Sequence, residues 1–189
     1  MTPVNLPMTR SDMISIRLAQ GIDLASIQTV IEAAFAAEEN KLISHLSADL
    51  FKETTRPPIK SLIAELGGKL IGDVCYSPVF LKSTYDVSGY ILSPLAVSPE
   101  YQSQGVGSAL INSGIDMLTK DGVGVLLVYG DPNYYQRFGF KEEIGRLFVP
   151  PYPLTYPVGW TGMTLNAITS PDTPTTFECV SALSKPALW

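Results

Sequence analysis

Basic residues are scarce in this chain: 13 Lys and Arg stand against 18 Asp and Glu, and charged residues make up only 16% of the 189. At a net charge of −5 there is no Lys/Arg stripe to displace counterions from a phosphate backbone, which excludes a module that tracks nucleic acid. Histidine occurs once and cysteine twice. His45, Cys75 and Cys179 form no CxxC or Cys/His cluster, so neither a zinc site nor a secreted disulfide framework is indicated, and a reducing, cytoplasmic setting is expected. Apolar runs are short as well. None approaches the ~18 residues of a membrane span, and the opening MTPVNLPMTRSDM has no apolar h-region, so neither a membrane partner nor a targeting segment is expected.

What the chain does have is apolar content, 46% of it, at a length that one domain fills with a proper core. The expected division is a flexible N-terminus over 1–12, one folded domain over 13–166, and a C-terminal extension over 167–189 packed on that domain. Met13–Leu18 alternates like a first strand. Asp23 reads as the N-cap of a helix whose apolar positions Leu24, Ile27, Val30, Ile31, Ala34 and Phe35 repeat at helical spacing through Ala37. A second, shorter helix buries Leu42, Ile43, Leu46 and Leu50 and leaves Lys41, His45 and Asp49 on a wet face. Two strands between Ile59 and Phe80 join at Gly67-Gly68, a pair suited to the left-handed conformations of a tight hairpin. Val87–Val97 (strand), Gln104–Lys120 (helix) and the buried run Val123–Tyr129 compose a right-handed βαβ unit. A short helix over Asp131–Arg137, a strand beginning over Phe138–Lys141 and a late strand over Thr161–Asn166 follow. The stretch VPPYPLTYPVGW (149–160) either roofs a pocket or covers a sheet edge. The closing Trp189 either docks on the core or serves an interface, and a homodimer is compatible with both.

Chemistry concentrates in LSPLAVSPEYQSQGVGSALI (92–111). Pro94 cannot donate to a ladder, so a bulge is expected there and the strand should part from its neighbour. The backbone of Leu95, Ala96 and Val97 is then free to pair with an extended amide-bearing ligand. Gln102, Ser103, Gln104, Gly105, Val106, Gly107 and Ser108 lead into the helix. Its first-turn amides are unpaired and carry the positive end of the dipole, which suits an anion. The two glycines admit either close ligand approach or merely tight helix packing. The loop is not a Walker A motif, lacking GxxxxGK(S/T), and it fails the dinucleotide fingerprint because Leu110 takes the third small position. A second constellation, GDPNYYQRFGF (130–140), follows the buried strand, so both lie at the carboxyl end of the sheet. Its tyrosines read either as core or as a phenol that stays protonated at neutral pH and can protonate a leaving thiolate.

Gln102-x-x-Gly105-x-Gly107 followed by YYQRFGF resembles the GCN5-related N-acetyltransferase (GNAT) superfamily, its YhbS-like branch in particular, over about residues 14–166. The resemblance implies an α/β (α+β) fold: a mixed, mostly antiparallel twisted sheet with a central βαβ unit, splayed between two strands, with helices on both faces. It also implies acetyl-CoA as cofactor and a primary amine of a small molecule or peptide as acceptor. On this likeness the amides of Gln102 to Ser108 hold the pyrophosphate, Leu95 to Val97 contact the pantetheine, and Tyr135 is the general acid, with Tyr134 its less favoured neighbour. Many members carry an Asn seven residues before that Tyr. Here Val128 takes the place, and Asn133 in the compact 130–133 turn is a further candidate for the cofactor contact. Cys75 reads as core and not as an acyl carrier. Glu38, Glu39 and His45 are the available bases, each on a face that solvation alone explains. An acyl-CoA sensor without transfer and a nucleotide-binding oxidoreductase are the competing readings.

Overall fold

The computed structural model describes residues 14–81, 87–167 and 173–189, so the N-terminal segment over 1–12 falls outside the described residues. The chain runs β1 (Ser15–Leu18), α1 (Leu24–Ala34), α2 (Ala37–Lys52), β2 (Lys60–Leu66), β3 (Lys69–Leu81), β4 (Val87–Val97), α3 (Val106–Lys120) and β5 (Val125–Tyr129). It continues with α4 (Pro132–Tyr135), α5 (Glu142–Gly145), β6 (Phe148–Val149), β7 (Trp160–Thr164) and β8 (Thr175–Cys179). The sheet is ordered β1-β2-β3-β4-β5-β7 and is antiparallel except at β4–β5. Where β2 ends along β3, β8 takes over the same edge, pairing Val79–Leu81 with Phe177–Cys179, and carries β6 on its far side.

Alternation along the strands sorts the core into two faces. Val74, Tyr76, Leu92, Leu126 and Val128 meet Val106, Leu110, Ile111 and Leu118 of α3. On the other face, Ile63 and Ala96 lie under Ile27, Val30 and Ile31 of α1, while Cys75, Ile91 and Leu127 lie under Leu46 and Leu50 of α2. The β3–α3 approach is close: a Cβ on Gly114 would sit 2.0 Å from the Tyr76 hydroxyl. Gly67 and Gly68 both take the left-handed φ that the hairpin turn demands, +59° and +80°.

Several local expectations give way. Asp23 precedes α1 but does not cap it; its carboxylate is held by Arg17 (2.7 and 2.9 Å) and by the amide of Gln20 (2.7 Å). Helix α1 stops at Ala34, because Phe35 is extended, and α2 is the longer of the two at 16 residues against 11. Residues 138–141 are not a strand. Phe138 closes a 3-10 turn, Gly139 follows at φ +93°, and only Lys141 bridges to Gly162. The segment over 149–160 packs Tyr152 and Leu154 on the α2-side core, and its Tyr156 amide donates to the Tyr129 hydroxyl (2.7 Å). Trp189 is buried beside Trp160, with its indole N–H on the Leu183 carbonyl. Glu53, at the end of α2, accepts from the amides of Ser181 (2.7 Å) and Ala182 (2.9 Å), and Asp49 pairs with Lys185.

Two expectations for stability follow from these contacts. Glu53→Ala removes a charged acceptor from two amides and should cost about 1–2 kcal/mol, read from urea denaturation. The Arg17 guanidinium holds the Asp23 carboxyl below its ordinary range. A depressed acid contributes stability that is present above the unfolded value near pH 4 and lost as pH falls through the folded one. Asp23→Asn should therefore lower the urea midpoint at neutral pH and reduce its decline on acidification.

Candidate active site

Strand β4 pairs with β5 only from Gly89↔Val125 to Leu92↔Val128. On its other side β4 continues on β3, through Leu95↔Val74, Ala96↔Asp73 and Val97↔Gly72, past a register shift that places two residues of β4, Ser93 and Pro94, against one of β3, Cys75. The extra residue lies at Ser93-Pro94, where proline withdraws a ladder donor. The sheet therefore opens as a V between β4 and β5 with its apex at Leu92 and Val128. Leu95 and Val97 are half-buried toward α3, and Ala96 is buried toward α1. The Val97 carbonyl accepts from the Gln102 side chain (3.1 Å).

Beyond β4 the turn over 102–105 reverses into α3. Ser103 and Gly105 both have positive φ, +57° and +86°, and Gly105 is the N-cap. Gln102 and Gln104 turn their side chains back onto the carbonyls of Val97 and Glu100. Among the described residues none of the amides of Ser103 to Ser108 meets a protein acceptor, the first bond of the helix being Ala109 N–H to Gly105. These unpaired donors and the dipole of a 15-residue helix make the turn a seat for an anion.

A cavity of about 620 Å³ joins this turn to α4, lined by Ser103, Gly105, Gly107, Ser108, Asp131, Asn133, Tyr134 and Arg137. Asp131 caps α4 by accepting from the Asn133 amide (2.9 Å). The two constellations are locked together at Gly107, where a Cβ would lie 2.6 Å from the Tyr134 hydroxyl. Glycine there makes room for Tyr134. Arg137 is the cation of this cavity, its guanidinium 4.4 Å over the Tyr134 ring and its Nε on the Tyr134 carbonyl. Sequence reasoning passed over Arg137 and Asp131 because the phosphate-type turn itself has no basic residue. The available signal was the i, i+3 spacing of Tyr134 and Arg137 across a short helix.

Tyr135 stands apart from the cavity-lining residues. Its ring covers Gly130, where a Cβ would come within 2.6 Å, and meets Phe140 edge-on. Burial pushes its phenol well above the usual range, so the hydroxyl keeps its proton at neutral pH. Tyr134 is raised too, by burial, with Arg137 and Ser108 opposing the shift. The candidate bases stand otherwise: Glu38, Glu39 and His45 are exposed on α2. Cys75 is buried, and desolvation pushes its thiol up to about 12.

A family model described as an acetyltransferase (GNAT) domain matches residues 57–142. The uncharacterized N-acetyltransferase YjhQ of Escherichia coli strain K12 is 38% identical over 135 residues, 70% of this chain and 72% of that protein. The uncharacterized N-acetyltransferase YhbS of the same organism is 32% identical over 67% of this chain and 72% of its own length. Among solved structures, Escherichia coli YhbS in complex with CoA superposes with a TM-score of 0.76 at 25% identity, over 96% of both chains. A GNAT family acetyltransferase from Brucella melitensis in complex with acetyl-CoA superposes at 0.65 and 27% identity, over 90% of this chain and 97% of that one. The opened β4–β5 pair, the unpaired amides at the head of α3 and these likenesses together establish that the chain belongs to the GNAT family of N-acetyltransferases, and so is an acyltransferase.

Proposed function

We propose that the protein transfers an acetyl group from acetyl-CoA to a primary amine by direct attack in a ternary complex. The observation that carries this reading is the V between β4 and β5 lying beside the unpaired amides of residues 103–108. Acetyl-CoA brings an activated thioester, a diphosphate and a pantetheine arm with two amides. The chain's groups match those parts in kind. The amides of Ser103 to Ser108 bind the diphosphate, charge-assisted bonds of this type contributing about 1.5–3 kcal/mol each. Arg137 adds a positive charge on the same cavity, and Asn133 and Ser108 add polar contacts. Among the described residues the β5-facing backbone of Leu95, Ala96 and Val97 has no partner strand, so it pairs with the pantetheine amides by strand addition. An N–H of the same stretch polarises the thioester carbonyl. Tyr135 holds its proton at Oη for the departing sulfur, whose conjugate acid is stronger than a phenol pushed up by burial. Transfer from so weak an acid to the thiolate is uphill, and the proton that the attacking nitrogen releases restores Tyr135, so the exchange balances. No acyl-cysteine is needed, and Cys75 is too weakly acidic to form one at neutral pH.

Two outcomes are expected. Tyr135→Phe should lower kcat by about 10²–10⁴ in a free-thiol assay while CoA affinity stays near wild type. Unchanged turnover would remove Tyr135 from the mechanism, and wild-type CoA binding without turnover on any amine would favour an acyl-CoA sensor. Gly107→Ala, a change that favours the helix by about 1 kcal/mol, should nevertheless weaken CoA binding about tenfold or more by displacing Tyr134. Adding Tyr134→Phe, which deletes the colliding oxygen, should recover much of that loss in isothermal titration.

A further inference from the structure

Among the described residues that line the cavity of about 620 Å³, Arg137 is the one cation. Its guanidinium lies 4.4 Å over the centroid of the Tyr134 ring and 5.5 Å from that of Phe138, and its Nε–H donates to the Tyr134 carbonyl (3.1 Å). Tyr134 is itself boxed in. Its ring meets Tyr135 edge-on and Phe138 at a tilt, and its hydroxyl abuts Gly107. With one face on a ring and Nε occupied, what the guanidinium has left is the pair of Nη groups, a fork that matches two oxygens of one phosphate or carboxylate. Among the described residues Arg137 forms no ion pair. Asp131 lines the same cavity, yet it leaves Arg137 alone and accepts from the Asn133 amide (2.9 Å). An arginine ordered to this degree without an acidic partner is preorganised for an anion from outside the chain.

Which anion follows from what the turn over 102–105 does not supply. Burial raises the Tyr134 phenol, and Arg137 and Ser108 both oppose that rise, so the guanidinium and the first turn of α3 meet at one hydroxyl. The amides of Ser103 to Ser108 are dipoles without net charge, and they suit a diphosphate whose charge is spread over two phosphorus centres. CoA carries a further phosphate, the 3′-monoester, one ribose away from that diphosphate. The monoester concentrates about −1.5 to −2 charge on three oxygens at neutral pH, so it gains more from a full cation than the diphosphate does.

We propose that Arg137 binds the 3′-phosphate of the cofactor through its Nη fork, and that it thereby selects acyl donors carried on CoA over donors carried on phosphopantetheine alone. The assignment rests on the acetyl-CoA reading of this cavity and specifies which part of the donor each end of it holds. The amides at the head of α3 take the diphosphate, and Arg137 takes the monoester. Phosphopantetheine attached to a carrier protein has neither the ribose nor the monoester, so it gains nothing from Arg137. The seating of Tyr134 on Gly107 then fixes the spacing between the two phosphate seats, because the ring that carries the guanidinium rests on the helix that carries the amides. Lysine at 137 would keep the charge and lose the fork.

The test is calorimetric titration of the full chain with CoA, 3′-dephospho-CoA and 4′-phosphopantetheine. Wild-type protein should bind CoA about tenfold to a hundredfold more tightly than 3′-dephospho-CoA, and this preference should shrink as sodium chloride is raised, since the pair is exposed. Arg137→Gln should bring CoA down to the level of 3′-dephospho-CoA, while the affinities for 3′-dephospho-CoA and 4′-phosphopantetheine and the melting temperature of the free protein are maintained. Arg137→Lys should keep only part of the preference. Equal binding of CoA and 3′-dephospho-CoA by wild-type protein overturns the assignment. So does a loss in Arg137→Gln that is the same for both, because Arg137 would then serve the diphosphate or merely support Tyr134. Failure of wild-type protein to bind either nucleotide overturns the acetyl-CoA reading instead, and the wild-type titrations performed first separate the two.

Discussion

The fold turns on one broken ladder. For four residues β4 and β5 bond as ordinary parallel neighbours, Gly89–Leu92 with Val125–Val128; then β4 keeps β3 and loses β5. A single extra residue at Ser93-Pro94 achieves this, since bulging turns the strand and proline offers no donor to continue the pairing. The backbone groups left behind face the opening without β5, which is what suits it to the proposed pairing with an extended chain that carries amides of its own. Everything else at the carboxyl edge is arranged around that opening. The turn after β4 places its amides at one end, and α4 after β5 places Tyr134 and Arg137 across from them.

The two ends of the site are not independent. Tyr134 sits on Gly107, so the head of α3 and the short helix after β5 fit as one surface, and Tyr135 on Gly130 fixes the turn between β5 and α4. Glycine at both places is a matter of shape more than of backbone freedom, since neither position takes a positive φ. Gly105 is the contrasting case, with φ at +86° where the turn reverses into the helix. Three nearby glycines thus answer to two different physical demands.

Features set by local chemistry were legible in the residues themselves. Gly67-Gly68 announced a left-handed hairpin turn, Pro94 a bulge, and the turn before Val106 a helix with free amides, because each depends on a few adjacent residues. Features set by distant partners were not. Asp23 has the composition of a cap, but Arg17 on β1 and the Gln20 amide claim its carboxylate. Phe138–Lys141 has strand-like residues, but Gly139 interrupts them in a left-handed conformation. In the site, the phosphate-type turn and the YYQRFGF segment could be read. The seating of Tyr134 on Gly107 and the place of Arg137 could not, because they arise only when β5 brings α4 alongside α3.

The pairing of β8 with β3 brings Cys179 opposite Val79, residues a hundred positions apart in the chain. Glu53 and Asp49 reach still further, to the segment over 181–185. Contacts of such separation close late, because the loop entropy must be overcome before they contribute. During synthesis on the ribosome, α2 and the far end of β3 therefore wait for the segment over 175–189 to emerge, and until then a chaperone would find their apolar faces uncovered.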